Sequence, residues 1–119
     1  MIKNKKGFTL VELMTAVGIF LVAVLSLILA FVYSIILNEA SANLTIAAND
    51  AQFVLEQMKS LPYDNLSSYS APEFTNLVNE SIVLNRQIGS SLSTVTVNVS
   101  WTEKNHEKTF SLTTYFAKQ

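Results

Sequence analysis

The sequence has no cysteine, two prolines, three glycines and one histidine in 119 residues. Without cysteine no disulfide can staple a loop, and no thiolate can hold a metal ion. A metal centre needs several ligands converging, and no other ligand is spaced to join the lone histidine. His106 sits beside Glu103, Lys104 and Glu107 in a polar stretch that suits a hairpin loop, and it is read as solvated. Charge is also scarce, at 14% of residues, and it is unevenly placed. Residues 1–7 hold Lys3, Lys5 and Lys6 and no acid, while the other 112 residues hold five basic and nine acidic side chains. From Leu13 to Leu37 there are 25 residues without a charge. A net charge of −1 gives no basis for a nucleic-acid partner. No carboxylate pair stands out as acid and base, and the many serines and threonines follow strand alternation, so no catalytic residue and no cofactor are expected.

Four segments follow from these patterns: residues 1–7 as a basic leader, 8–37 as an apolar stretch broken by Glu12, 38–61 as an amphipathic continuation, and 62–119 as a small head. A helix rises about 1.5 Å per residue, so 25 uncharged residues span roughly 37 Å. A bilayer core needs about 20 apolar residues. Lysines ahead of such a run predict a cytoplasmic N-terminus and a translocated head. Leu44, Ala47, Ala51, Val54, Met58 and Leu61 recur at helical steps and predict one apolar face. Asp50 and Glu56 are placed on the opposite, solvated side. The helix is therefore expected from Phe8 to Leu61, where Pro62 ends it.

Beyond Pro62 the composition changes. Residues 63–74 are rich in Ser, Asn, Asp and Pro and read as a loop, and residues 82–88 as a first strand. Residues 94–101 alternate strictly, with Val95, Val97, Val99 and Trp101 on one face. Residues 109–116 alternate again, with Phe110, Leu112, Thr114 and Phe116 on one face. The expected fold class is α+β: one long N-terminal helix with a small antiparallel sheet of three or four strands packed on its C-terminal half. A head of this size is marginal alone, so it is expected to lean on that helix.

The densest signal is Lys5-Lys6-Gly7-Phe8-Thr9-Leu10-Val11-Glu12. This string resembles the type IV prepilin family, whose leader ends in glycine and is followed by Phe-Thr-Leu-Val/Ile-Glu and an apolar run. The resemblance covers residues 3 to about 35 closely and is architectural beyond. It implies cleavage after Gly7 by a membrane-embedded prepilin peptidase, which then N-methylates the new terminus at Phe8. It also implies a single-pass precursor in the cytoplasmic (inner) membrane, held in lipid until an assembly platform and ATPase draw it into a filament of other pilin subunits. Gly7, lacking a side chain, lets a protease approach the backbone closely. Glu12 has two readings. A carboxylate at the centre of a membrane helix costs about 2.5–3.5 kcal/mol, and less near the edge. Glu12 is either a first-turn acid favoured by the helix dipole and wetted by head groups, or, as the resemblance implies, the partner of a neighbouring subunit's terminal amine.

Two other readings fit part of the chain. A secretory signal peptide also starts with lysines, and Ala40-Ser41-Ala42 looks like a signal-peptidase site, but its apolar region runs about 7–15 residues. A membrane-anchored binding domain that never assembles fits length and topology but leaves the Gly7–Glu12 string unexplained. Within the prepilin family, the residues 55–63 and the Val-x-Val-x-Trp strand resemble minor pilins of the pilus modification type and the minor pseudopilin I of type II secretion. A minor pilin is the first reading; a minor pseudopilin of a secretion or DNA-uptake machine is the alternative. The chain departs from many major pilins in lacking a C-terminal disulfide loop and in holding Leu29 where a proline often stands midway along the helix.

Overall fold

A computed structural model describes residues 7–119, and the chain divides into two units, Met1–Asn38 and Glu39–Gln119. Helix α1 runs Leu10–Lys59, and strands β1 (Ser81–Gln87), β2 (Leu92–Glu103) and β3 (His106–Ala117) follow. The α+β expectation of one long helix and a small antiparallel sheet is met, and of the three or four strands expected the sheet has three.

In the first unit, α1 carries Leu, Ile, Val and Phe all round and leaves them exposed. It is long and apolar enough to cross a membrane. In the second unit, the same helix has one buried face made by Ala47, Ala51, Val54 and Met58. Two residues depart from the expected pattern. Leu44 is half exposed, whereas Leu55 is buried, because it shares a crevice with Leu112 and Thr114 of β3. The helix ends two residues before the expected Leu61. There the Ser60 N–H is shared between the Glu56 and Gln57 carbonyls and Leu61 N–H donates to Met58 O, a tightening last turn ahead of Pro62.

The sheet order is β1-β2-β3. Val95, Val97, Val99 and Trp101 of β2 all face the helix and are buried, as their alternation predicts. They form one cluster with the buried helix residues, with Leu66 and Leu77 from the intervening loop. Five of its eleven members lie on α1, so the head borrows its core from the helix. A buried Val, Leu or Met contributes roughly 1.5–3 kcal/mol. The expected hairpin loop is a two-residue turn: Glu103 pairs with His106, and Lys104 and Asn105 take positive φ values of 48° and 64°. That left-handed pair matches the strands' twist. His106 is exposed.

Residues 62–80 have no strand and one 3-10 turn, Tyr63–Asn65. Side chains fasten this segment instead. Arg86 of β1 donates to the Ser67 carbonyl at 2.7 Å and to the Tyr69 carbonyl. The Tyr69 hydroxyl donates to Gln57 Oε1 at 2.6 Å. Burial raises the pKa of that hydroxyl, with the Arg86 charge opposing. At the head's other end Tyr63 Oη donates to the Gly89 carbonyl at 2.7 Å and accepts from the fully buried Ser93 hydroxyl at 2.6 Å.

Asp50 corrects the sequence reading. Expected among the solvated residues, it is 8% exposed. It lies a turn from Ala47 and Val54, so loop 71–80 covers it and supplies a partner. Asn76 Nδ2 donates to both Asp50 oxygens, at 3.2 and 3.0 Å. Glu80 Oε2 accepts the N–H groups of Asn76 (3.0 Å) and Leu77 (3.1 Å), while its Oε1 is buried without a partner. Burial raises the Glu80 pKa above its ordinary 4.5, and the facing Asp50 adds to the rise against the two N–H bonds. Glu56, by contrast, is exposed as expected and accepts from Gln52.

Candidate functional site

The candidate site is the start of α1. Gly7 is exposed, and a Cβ built on it would meet no atom of the described residues within 4 Å. Phe8 is 82% exposed. The backbone at this junction is thus open to an incoming protein. The helix begins at Leu10 rather than Phe8 because Thr9 is its N-cap. Thr9 Oγ1 accepts the Glu12 N–H at 3.2 Å, and Glu12 Oε2 accepts the Thr9 N–H at 3.1 Å. Thr9 Oγ1 also donates to Glu12 Oε2 at 3.1 Å, and Leu13 N–H closes the first helical bond to Thr9 O. This reciprocal pair is a capping box, in which two otherwise unpaired N–H groups of the first turn are satisfied.

The arrangement orients Glu12. Its side chain folds back toward the chain's start, and Oε2 sits on the amide that joins Phe8 to Thr9. A negative charge there also faces the positive end of the helix dipole. The structure therefore brings Phe8, Thr9 and Glu12 together at one helix end. Thr9 carried no role in the sequence reading, although the Thr-x-x-Glu spacing was its signal. Lys3, Lys5 and Lys6 lie outside the described residues. No group of three or more His, Cys, Asp or Glu able to hold a metal exists among the described residues.

A family model described as the prokaryotic N-terminal methylation motif matches residues 2–33. The chain is type IV prepilin-like. The match includes Lys3, Lys5, Lys6, Gly7, the capping box and most of the apolar helix, and it stops short of the sheet. The motif supports a pilin-like substrate of prepilin peptidase. The motif and the apolar helix fit a membrane-anchored pilin. No curated protein and no solved structure matches the chain.

Proposed function

We propose that this prepilin-like chain is a structural minor subunit of a type IV pilus. Residues 1–7 are its leader, 8–37 its membrane and filament helix, 38–61 the amphipathic continuation and 62–119 the head. Lys3, Lys5 and Lys6 hold the leader at the cytoplasmic face of the inner membrane. The peptidase cuts after Gly7 and methylates Phe8. The assembly platform and its ATPase then draw the helix from lipid into a bundle of other subunits. In that bundle the Leu13–Leu37 side chains exchange lipid for each other, so no large apolar area meets water in transit.

One observation carries this reading: the helix start couples an open Gly7–Phe8 junction to a carboxylate already turned toward it. A new amine at Phe8 arises one residue from the N–H that Glu12 holds. Glu12 can then leave Thr9 for the terminal amine of a neighbour, an ion pair that offsets the cost of a carboxylate in a lipid-like bundle.

Mass spectrometry of the mature protein tests the processing step, with N-methylphenylalanine at position 8 expected. A mature chain beginning at Met1 or Ile2 overturns it. Glu12→Ala tests the pairing: membrane insertion should persist while the variant is depleted from sheared filaments. Incorporation at the wild-type level would remove Glu12 from the assembly step.

A further inference from the structure

On the sheet's second face, turned away from α1, four rungs cross all three strands, and their twelve side chains carry no charge. The face continues on β2 and β3 into Thr102 beside Glu107 at one end and Leu92 beside Ala117 at the other. In a chain that is 14% charged, about one or two charges would be ordinary among twelve positions. Ten of the twelve are Ser, Thr, Asn or Gln, and the other two are Val83 and Tyr115, which are 53% and 67% exposed. We propose that this outer face binds a linear neutral polysaccharide, a role beyond filament assembly.

Charge and composition select that partner. Nucleic acid is held by cations on its phosphates, and this face offers none. Its exposed large apolar side chains are three, Val83 beside Asn98, Tyr115 beside Thr94, and Leu92 one rung beyond Tyr115 and 52% exposed, too few for a lipid surface. Protein interface cores are enriched in aromatics, Met and Arg and depleted in Ser. A Ser- and Thr-rich face with one aromatic ring runs against that pattern. What it matches is a ligand that is uncharged and dense in hydroxyl groups.

The face is also prearranged. Thr96 and Thr113 hydroxyls share a bond of 2.8 Å, Ser111 donates to Asn98 Oδ1 at 2.6 Å, and Ser100 and Thr109 share a bond of 3.3 Å. Each hydroxyl has one donor and two acceptor sites, so every rung retains capacity toward a partner. Threonine is stiff about χ1, and little side-chain freedom is left to lose on binding. Strands stand about 4.8 Å apart, and successive outward residues on one strand about 6.8 Å apart. That grid is flat and repetitive, as an extended sugar chain is. Tyr115, on an edge strand, adds a ring on which the C–H face of a sugar can stack, with a hydroxyl at its tip.

The test uses the full chain in detergent micelles, so it does not depend on polymerisation and a failure of the pilus reading leaves it intact. The probes are insoluble cellulose and amylose resin, with heparin resin as the charged control. Retention on at least one neutral polymer is expected, unchanged between low and high salt. Thr113→Lys and Tyr115→Ala should each weaken retention ten-fold or more, and Tyr115→Phe, which keeps the ring, should retain it. Gln52→Lys, on the helix away from this face, should bind as wild type. Trp101 fluorescence reports that each variant is folded. Retention on neither neutral polymer, retention on heparin alone, or variants that bind as wild type would each overturn the proposal. So would a dimer in detergent that Thr113→Lys disperses, since a second copy would then occupy the face.

Discussion

Glu80→Gln should stabilise the head at neutral pH and flatten its pH dependence. Glu80 Oε2 accepts two backbone N–H groups, while Oε1 is buried without a partner in front of Asp50. Its pKa is raised by burial and then by Asp50, so the folded head holds the Glu80 proton more tightly than the unfolded chain does. The sign follows from proton binding: between the ordinary carboxylate value of 4.5 and the raised one, the folded state binds more protons. This contribution is fully present below about pH 4.5 and is lost as pH rises through the raised value. Glutamine keeps an oxygen for the two N–H groups and sets an N–H2 where Oε1 stands. One recovered hydrogen bond is worth about 0.5–1.5 kcal/mol. For a domain of this size that is about 4–8 °C in Tm per kcal/mol. Glu80→Ala should do the opposite, because the N–H of the buried Leu77 loses its acceptor at about 1–3 kcal/mol, while the exposed Asn76 N–H can turn to water. The assay is thermal unfolding from pH 4.5 to 8, read by the single tryptophan, Trp101, which is 4% exposed beside this loop. If the Gln variant melts below wild type at pH 8, or its deficit grows with pH, the reasoning about Glu80 is wrong.

Gly89→Ala should destabilise the β1–β2 connection by about 1–3 kcal/mol, because the added Cβ would lie 2.2 Å from the Leu92 carbonyl oxygen; a Tm equal to wild type would show that the turn yields freely. Val97→Ala, at a fully buried central-strand position, should cost about 2 kcal/mol or more through lost burial and a residual cavity, read by the midpoint of denaturant unfolding.

The helix and the sheet were legible because their signals are periodic. Val95, Val97, Val99 and Trp101 alternate without exception, and all four are buried. The hairpin was marked by polarity alone, since Lys104-Asn105 lacks the glycine that usually announces such a turn. Asp50 was misplaced for a different reason. Helical spacing gives the direction of a side chain but not what a later loop lays over it, and Asn76 lies 26 residues on. The same limit hid Ser93 and Tyr63, which meet across 30 residues. At the helix start the reverse holds: the capping box is local, and the Thr9-x-x-Glu12 spacing alone places its two partners one turn apart. Processing by prepilin peptidase is chemistry that the motif indicates and that geometry alone does not display.

The segment between the helix and the first strand is tied down by Arg86, Tyr69, Asn76 and Tyr63, with no covalent crosslink anywhere in the chain. Its closure is consequently indifferent to thiol chemistry. The head should reach one and the same form in glutathione-rich lysate and in an oxidising periplasm, without help from a disulfide isomerase, and reductant should leave its melting curve where it was.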